Sequence, residues 1–358
     1  APVNAANKPL KWVEIDLSAI AGNAAWVRSQ MPRGGEFIAA IKADAYGHGA
    51  LEVARVVLKA GAARLGVRDL TEAAVLRKAG IKAPIQMLAP VLPEQSAEAL
   101  RLGVIPVIES LAQARALSAA AGGKTVRLQI DLDFGLARWG LSPRELPALM
   151  KALGRLPNVS VDGLAAHLAY MPGKNAVEAE EKLGAFERLA APWKKLNPTL
   201  RLRAANSTVF MDFPHRRFDL ACVGNLLYGI NRSKSRPPAL KNPWRFQARV
   251  ISMREVRKGA SIGYANEYLA PRKMTVATLP VGYADGLTME PAARLIGLGA
   301  SQSYWGKRGE INLPFVGRCG ISHVLVDATA CPGLKIGDAV TLPVRRTASR
   351  APRVYLTA

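Results

Sequence analysis

Ile41-Lys42-Ala43-Asp44-Ala45-Tyr46-Gly47-His48-Gly49 decides how the rest of the chain is read. It follows a short apolar run, Phe37-Ile38-Ala39-Ala40-Ile41. Beyond it Ala50, Leu51, Ala54, Val57 and Leu58 are spaced as one face of a helix. The order is strand, tight polar turn, helix. Lys42 therefore ends a buried strand, where an ammonium is costly unless it is exposed, paired or chemically modified. A lysine that forms a Schiff base belongs in such a place, because partial desolvation lowers an amine's pKa from about 10.4 towards a nucleophilic range. Taken alone, a strand-end lysine is more often a snorkelling surface residue, so its surroundings decide.

Outward from this stretch, short apolar runs alternate with helical patterns. Candidate strands cover 37–41, 64–68, 85–88, 104–108, 126–131, 161–167, 201–206 and 220–224. Helix-period segments such as Leu70–Ala79, Pro93–Leu102, Leu111–Ala121, Arg144–Leu153 and Val177–Leu189 lie between them. Eight such units predict a parallel (β/α)8 barrel of the α/β class. An open doubly wound sheet would carry a Gly-rich dinucleotide turn after its first strand, and none is found. Trp12–Asp16 reads as a short strand leading into this barrel. Near residue 236 the texture changes: Ser235-Arg-Pro-Pro238 and Asn242-Pro243 mark a linker. Strand-like runs follow at Phe246–Val256, Met274–Val281, Ile311–Val316, His323–Ala328 and Ala339–Val344. The expected organisation is an extension over 1–11, the barrel over 12–235 and a C-terminal all-β domain over 236–358.

The 358 residues carry 49 Lys+Arg against 27 Asp+Glu, a net charge of +22. The densest runs, Arg232 to Arg245 and Arg345 to Arg353, lack interleaved aromatics, so they read as solvated faces and not as a nucleic-acid surface. No apolar run reaches the roughly 18 residues that span a bilayer. Cys222, Cys319 and Cys331 are odd in number and far apart, and the four histidines are scattered, which implies neither a disulfide scaffold nor a structural metal. The polar start, Ala-Pro-Val-Asn, fits a cytoplasmic chain lacking its methionine or the processed end of a periplasmic one.

In a barrel, reactive groups gather where strands end, and a phosphate commonly binds beyond strands 7 and 8. The notable polar residues fall there: Lys42 after strand 1, Arg138 past strand 5, His167 after strand 6, Asn206-Ser207 after strand 7, Gly224-Asn225 after strand 8. Each has a bland reading, such as a satisfied core histidine or a helix cap. Five on one rim are hard to explain that way.

The opening stretch closely resembles the pyridoxal-phosphate lysine motif of alanine racemases, Lys-Ala-x-Ala-Tyr-Gly-His-Gly, with Asp44 at the variable position. Val281-Gly-Tyr283-Ala-Asp285-Gly286 and Gly263-Tyr264-Ala265 resemble two further family segments, and the likeness runs from Trp12 onward. It implies that Lys42 carries pyridoxal 5'-phosphate, and that Tyr46, Asn206, Ser207, Gly224, Asn225 and Tyr283 surround its phosphate. It further implies that His167 lies against the ring and that Arg138 bonds the phenolic oxygen. Racemisation removes a proton from one face and returns one on the other, so it needs two bases. By the resemblance these are Lys42 and Tyr264, the latter supplied by the partner in a head-to-tail homodimer. A phenol with its usual pKa of about 10 needs cationic neighbours to act near neutrality, and Arg138 is a contributor. The implied function is interconversion of L- and D-alanine, or of a broader set of amino acids, supplying D-amino acids for peptidoglycan. The rivals are a decarboxylase on the same barrel and a non-catalytic carrier of the cofactor.

Four departures from the family pattern stand out. Gln129 replaces a lysine, often carbamylated; Gln129 can still bond Arg138, and Asp131 or Asp133 is left to supply the negative charge. Cys222 replaces the arginine that faces the pyridine nitrogen, while Arg203 stands where a histidine is usual and is expected to reach across Cys222 to that nitrogen. Ile321-Ser322 replaces Met-Asp: Ile321 can still offer its N–H to the substrate carboxylate, while the lost acid makes a larger substrate credible. The segment from Arg345 to Tyr355 is shorter than the family's.

Overall fold

A computed structural model describes residues 9–233, 240–264, 268–287 and 305–357. The expected linker Ser235–Pro238 and most of the N-terminal extension lie outside the described residues. The chain forms two compact units, residues 17–242 and residues 1–16 with 243–358.

The first unit opens with α1 (Leu17–Ser29). Eight strands then alternate with helices: β2 (Glu36–Ala40), β3 (Arg64–Val67), β4 (Ile85–Pro90), β5 (Val104–Ile108), β6 (Val126–Leu132), β7 (Val159–Ala166), β8 (Arg201–Arg203) and β9 (Leu220–Val223). Between the strands lie a left-handed turn, α2 (Lys42–Tyr46), and the helices α3 (Ala50–Lys59), α4 (Leu70–Lys78), α5 (Ser96–Arg101), α6 (Leu111–Ala120), α7 (Leu146–Leu153), α8 (Ala176–Leu196) and α9 (Ser207–Asp212). The strands pair in parallel in the order β8-β7-β6-β5-β4-β3-β2-β9. The remaining seam is joined by one bridge, Ala205 to Ala221, with the Cys222 N–H donating to the Ala205 carbonyl at 2.8 Å. This is the (β/α)8 barrel that the strand–helix alternation predicts. β8 ends at Arg203 and not near 206, because Ser207 already starts a helix that the Asn206 side chain caps, accepting from the N–H groups of Thr208 and Val209 at 3.0 Å.

A polar chain crosses the barrel interior. Arg64 on β3 donates to Gln86 on β4 at 3.3 Å and to Asp162 on β7 at 2.5 Å. Arg127 on β6 also donates to Asp162. Gln129 on β6 donates to Asp162 at 3.4 Å and accepts from Arg203 Nε on β8 at 3.2 Å. Only inward-pointing side chains of a closed sheet can link five strands in this way. Burial alone would raise the Asp162 pKa, but hydrogen bonds and charge from Arg64 and Arg127 outweigh it and hold the carboxyl below its usual range.

The strand at Trp12–Asp16 is not part of the barrel unit. As β1 (Lys11–Asp16) it pairs antiparallel with β10 (Trp244–Arg249) and parallel with β19 (Arg353–Leu356), in a nine-stranded sheet of the second unit. Val13 and Ile15 alternate inward and are buried there, a period-two pattern that long-range pairing, and not neighbourhood in sequence, resolves. The change of unit falls at Asn242–Pro243, seven residues beyond the expected boundary at 235–236, since Asn23 on α1 bonds both backbone groups of Lys241 and ties that segment to the barrel. The sheet also contains β11 (Ser252–Val256), β14 (Met274–Leu279), β15 (Trp305–Arg308), β16 (Ile311–Val316), β17 (Val324–Asp327) and β18 (Ala339–Leu342). A hairpin of β12 (Ser261–Ile262) and β13 (Tyr268–Leu269) completes the unit. The run expected as one strand over Phe246–Val256 is two. Val250 and Ile251 turn their N–H groups to Asp338 and Thr278, both at 2.9 Å, which ends one strand and redirects the next.

Asp162→Ala should strand the buried Arg64 charge and cost roughly 3–5 kcal/mol, the usual loss when one partner of a buried pair is removed. Urea unfolding measures this, and a loss below about 1 kcal/mol would mean that Arg64 has another anchor.

Candidate active site

The backbone after β2 turns with the wrong hand. Ala43, Asp44, Ala45 and Tyr46 have φ of 52°, 52°, 53° and 55°, a left-handed turn, and Gly47 continues it at 87°. Left-handed geometry costs a non-glycine residue about 1–2 kcal/mol, so four in succession must be held from outside. Ala43 donates to Glu72 at 2.7 Å, and Asp44 accepts the Ala50 N–H at 2.7 Å. Gly47 donates to Ala43 and Asp44, and Gly49 to Asp44, each at 3.0 Å. The Tyr228 ring lies between Tyr46 and His48, stacked at 4.7 and 4.6 Å, and its hydroxyl donates to the Ala40 carbonyl at 3.0 Å. Strain concentrated and over-determined in this way is characteristic of functional sites.

The turn feeds a cavity of about 230 Å³ at the carboxyl ends of the strands. Its wall includes Lys42, Tyr46, Asp131, Arg138, His167, Arg203, Asn206, Ser207, Cys222, Gly224 and Asn225; of the barrel positions singled out from sequence, Gln129 and Asp133 do not line it. Burial pushes the Tyr46 phenol up to about 12, so it remains a hydrogen-bond donor at any physiological pH. Its hydroxyl lies over the bare Cα of Gly224, where an added Cβ would collide with the phenol oxygen. The Gly224 N–H donates to Ser207 Oγ at 3.1 Å. A phenol, a hydroxyl and a backbone N–H thus converge at one end, a donor set suited to a phosphate.

The rest of the wall carries the cations Lys42, Arg138 and Arg203 with the carboxylate Asp131. Burial, reinforced by Arg138, Arg203 and Lys42, lowers His167 from 6.5 to about 4, so its imidazole is neutral at pH 7. Burial raises the Cys222 thiol; Arg203 and Lys42 oppose that shift and Asp131 adds to it. Burial lowers Arg138, partly offset by Asp131 and furthered by Arg203. The Arg138 guanidinium sits 3.7 Å over the Trp139 ring. Gln129 was expected to bond Arg138, but its amide serves Arg203 and Asp162 instead, since the interior chain already occupies both ends. Asp133 accepts the N–H groups of Gly135, Leu136 and Ala137 and shapes that loop. Trp139 and the Arg64–Asp162 pair that Gln129 joins were not singled out from sequence. The inward alternation of 127, 129 and 131 was a signal for the chain; nothing signalled the tryptophan.

Tyr264, Tyr283 and Ile321 belong to the β unit, which gathers them by itself. The Tyr283 N–H donates to Gly320, and Ala284 donates to Ile321, both at 3.1 Å. The Tyr264 ring lies 5.9 Å from that of His323, in the same segment as Ile321. All three are exposed, at 61%, 43% and 58%. Ala265 lies outside the described residues.

Comparison with known proteins places these features in context. The alanine racemase N-terminal domain model matches residues 15–232, and the C-terminal domain model residues 244–354. An alanine racemase of Desulfovibrio desulfuricans is 34% identical over 336 residues, 92% of this chain and 88% of the relative. A biosynthetic alanine racemase structure from Pseudomonas aeruginosa superposes with a TM-score of 0.84 at 27% identity, covering 98% of this chain and 100% of that one. A Bartonella henselae alanine racemase with covalently bound pyridoxal phosphate has the same fold, with a TM-score of 0.83 at 24% identity over 98% of this chain and 100% of that one.

Two outcomes follow from the geometry. The depressed His167 refuses a proton that the unfolded chain accepts below about 6.5. It therefore withdraws stability as pH falls from about 6.5 towards 4 and has no effect above 7. In His167→Gln the fall in unfolding midpoint over that window should flatten; an unchanged slope would show that His167 titrates normally. Gly224→Ala should displace the Tyr46 hydroxyl and weaken binding of inorganic phosphate at least tenfold by calorimetry, with no loss if the two are not packed together.

Proposed function

The chain belongs to the alanine racemase family, and on that premise we propose that it interconverts L- and D-alanine with pyridoxal 5'-phosphate carried on Lys42. The observation that carries this reading is the convergence on one cavity of the strand-end amine with the Tyr46, Ser207 and Gly224 donors. Bound there, the cofactor delocalises the electrons left behind when an amino acid loses its α-proton.

The chain's own groups supply the rest. Tyr46, Ser207, the backbone of Gly224 and Asn225, and Tyr283 hold the phosphate, while Asn206 caps the helix that presents Ser207. Neutral His167 would lie against the ring, and Arg138 would bond its phenolic oxygen. Arg203, with the uncharged Cys222 thiol beside it, would face the ring nitrogen. A cation and a neutral thiol would leave that nitrogen unprotonated, which would favour returning a proton over decarboxylation. Ile321 offers its N–H to the substrate carboxylate. Lys42 and Tyr264 take or return the α-proton on opposite faces, with Tyr264 contributed by the partner of a homodimer whose exposed patch forms part of the shared site. Ser322 in place of an acid accommodates amino acids larger than alanine. D-alanine made this way supplies peptidoglycan.

Borohydride reduction of the loaded protein should fix the label on Lys42, and a label on any other residue defeats the reading. Incubation with L-alanine followed by chiral chromatography should yield D-alanine; an amine would indicate a decarboxylase, and a yellow protein without turnover a carrier. Tyr264→Phe should slow proton removal from one enantiomer by about 10²–10⁴-fold, the span of general-base catalysis, while Lys42 still takes the label. Equal slowing of α-proton exchange with solvent deuterium from the two enantiomers, each followed separately, would refute its role.

A further inference from the structure

The sequence left Asp131 or Asp133 to supply a negative charge near Arg138, and the structure separates the two. Asp131, on β6, is 6% exposed. Its Oδ2 accepts the Trp139 indole N–H at 2.7 Å. Its Oδ1 is buried and has no hydrogen-bond partner among the described residues. A buried carboxylate oxygen without a donor costs stability and calls for an explanation. Among the residues lining the cavity it is the sole carboxylate, facing Lys42, Arg138 and Arg203.

The other candidates for a counter-charge are committed. Asp133 is held by three loop N–H groups, and the Gln129 amide by Arg203 and Asp162. Trp139 links Asp131 to one cation in particular. The indole's N–H is fastened to Asp131, and its face carries the Arg138 guanidinium at 3.7 Å.

We propose that Asp131 is the positioning residue for Arg138: its free oxygen receives the guanidinium when the cofactor is bound and aims it at the cofactor's ring. The inference rests on the reading that Lys42 carries pyridoxal phosphate. Asp131 touches neither cofactor nor substrate in this role and acts through Arg138. Trp139 keeps the carboxylate turned, so that one oxygen remains available, and provides the surface along which the guanidinium reaches it.

A double-mutant cycle tests this. Asp131→Asn keeps the shape and the acceptor for Trp139 but removes the charge. It should lower kcat/KM and raise the cofactor dissociation constant, read from absorbance, each by roughly ten- to a hundredfold, the size of one charge-assisted hydrogen bond. In an Arg138→Gln background the same change should add less than about threefold to either quantity, and Asp131→Glu should recover part of both. Additive losses, or an Asn variant that binds the cofactor as tightly as wild type, overturn the role. Should the Asn variant fail to fold, a crystal structure of the loaded wild type decides: an Arg138 nitrogen within hydrogen-bond distance of Oδ1 supports the role, and one beyond it does not. A labelled Lys42 with additive losses sinks only Asp131; an unlabelled Lys42 sinks the cofactor reading and this role with it.

Discussion

The left-handed turn from Ala43 to Tyr46 is the constraint on which the site depends. A right-handed continuation of the chain after β2 would send Lys42 and Tyr46 in other directions. The turn is held by Glu72 and Asp44 at its ends and by the ring of Tyr228 between Tyr46 and His48. Asn23 fastens the segment around Tyr228, donating to the Leu227 carbonyl at 3.1 Å. The first helix therefore supports the strained turn indirectly. Strain of several kcal/mol persists only when this many contacts oppose it.

Beneath the turn, the barrel interior is polar where a layer of branched apolar side chains is usual. Arg64, Gln86, Gln129, Asp162 and Arg203 satisfy one another, so the layer is tolerable only as a complete set. This has a functional consequence for Arg203. Its position at the cavity wall is set by Gln129, whose orientation is set in turn by Asp162. The neutral His167 follows from burial and the same arrangement, because a wall with several cations discourages a further one, whereas burial keeps the Cys222 thiol neutral against the pull of Arg203 and Lys42.

The β unit contributes through separate means. The N–H groups of Tyr283 and Ala284 donate to the Gly320 and Ile321 carbonyls, which fastens Tyr283 and Ile321 to one ridge, and the Tyr264 ring lies against His323 of the same segment.

The sequence by itself determined the eight strands, the barrel and the residues at their ends, because each depends on local pattern: apolar runs, turn residues and a lysine at fixed distance from Tyr46 and Gly47. It also carried the family likeness, which rests on those same motifs. Tertiary structure decided what local pattern cannot encode. β1 joined the C-terminal sheet because Val13 and Ile15 find their partners over two hundred residues away. Gln129 turned to Arg203 and not to Arg138, since β6 and β8 point inward at the same level only once the barrel closes. Asp131, and not Asp133, was left with a free oxygen, because hydrogen-bond partners are allotted only when side chains from distant strands meet.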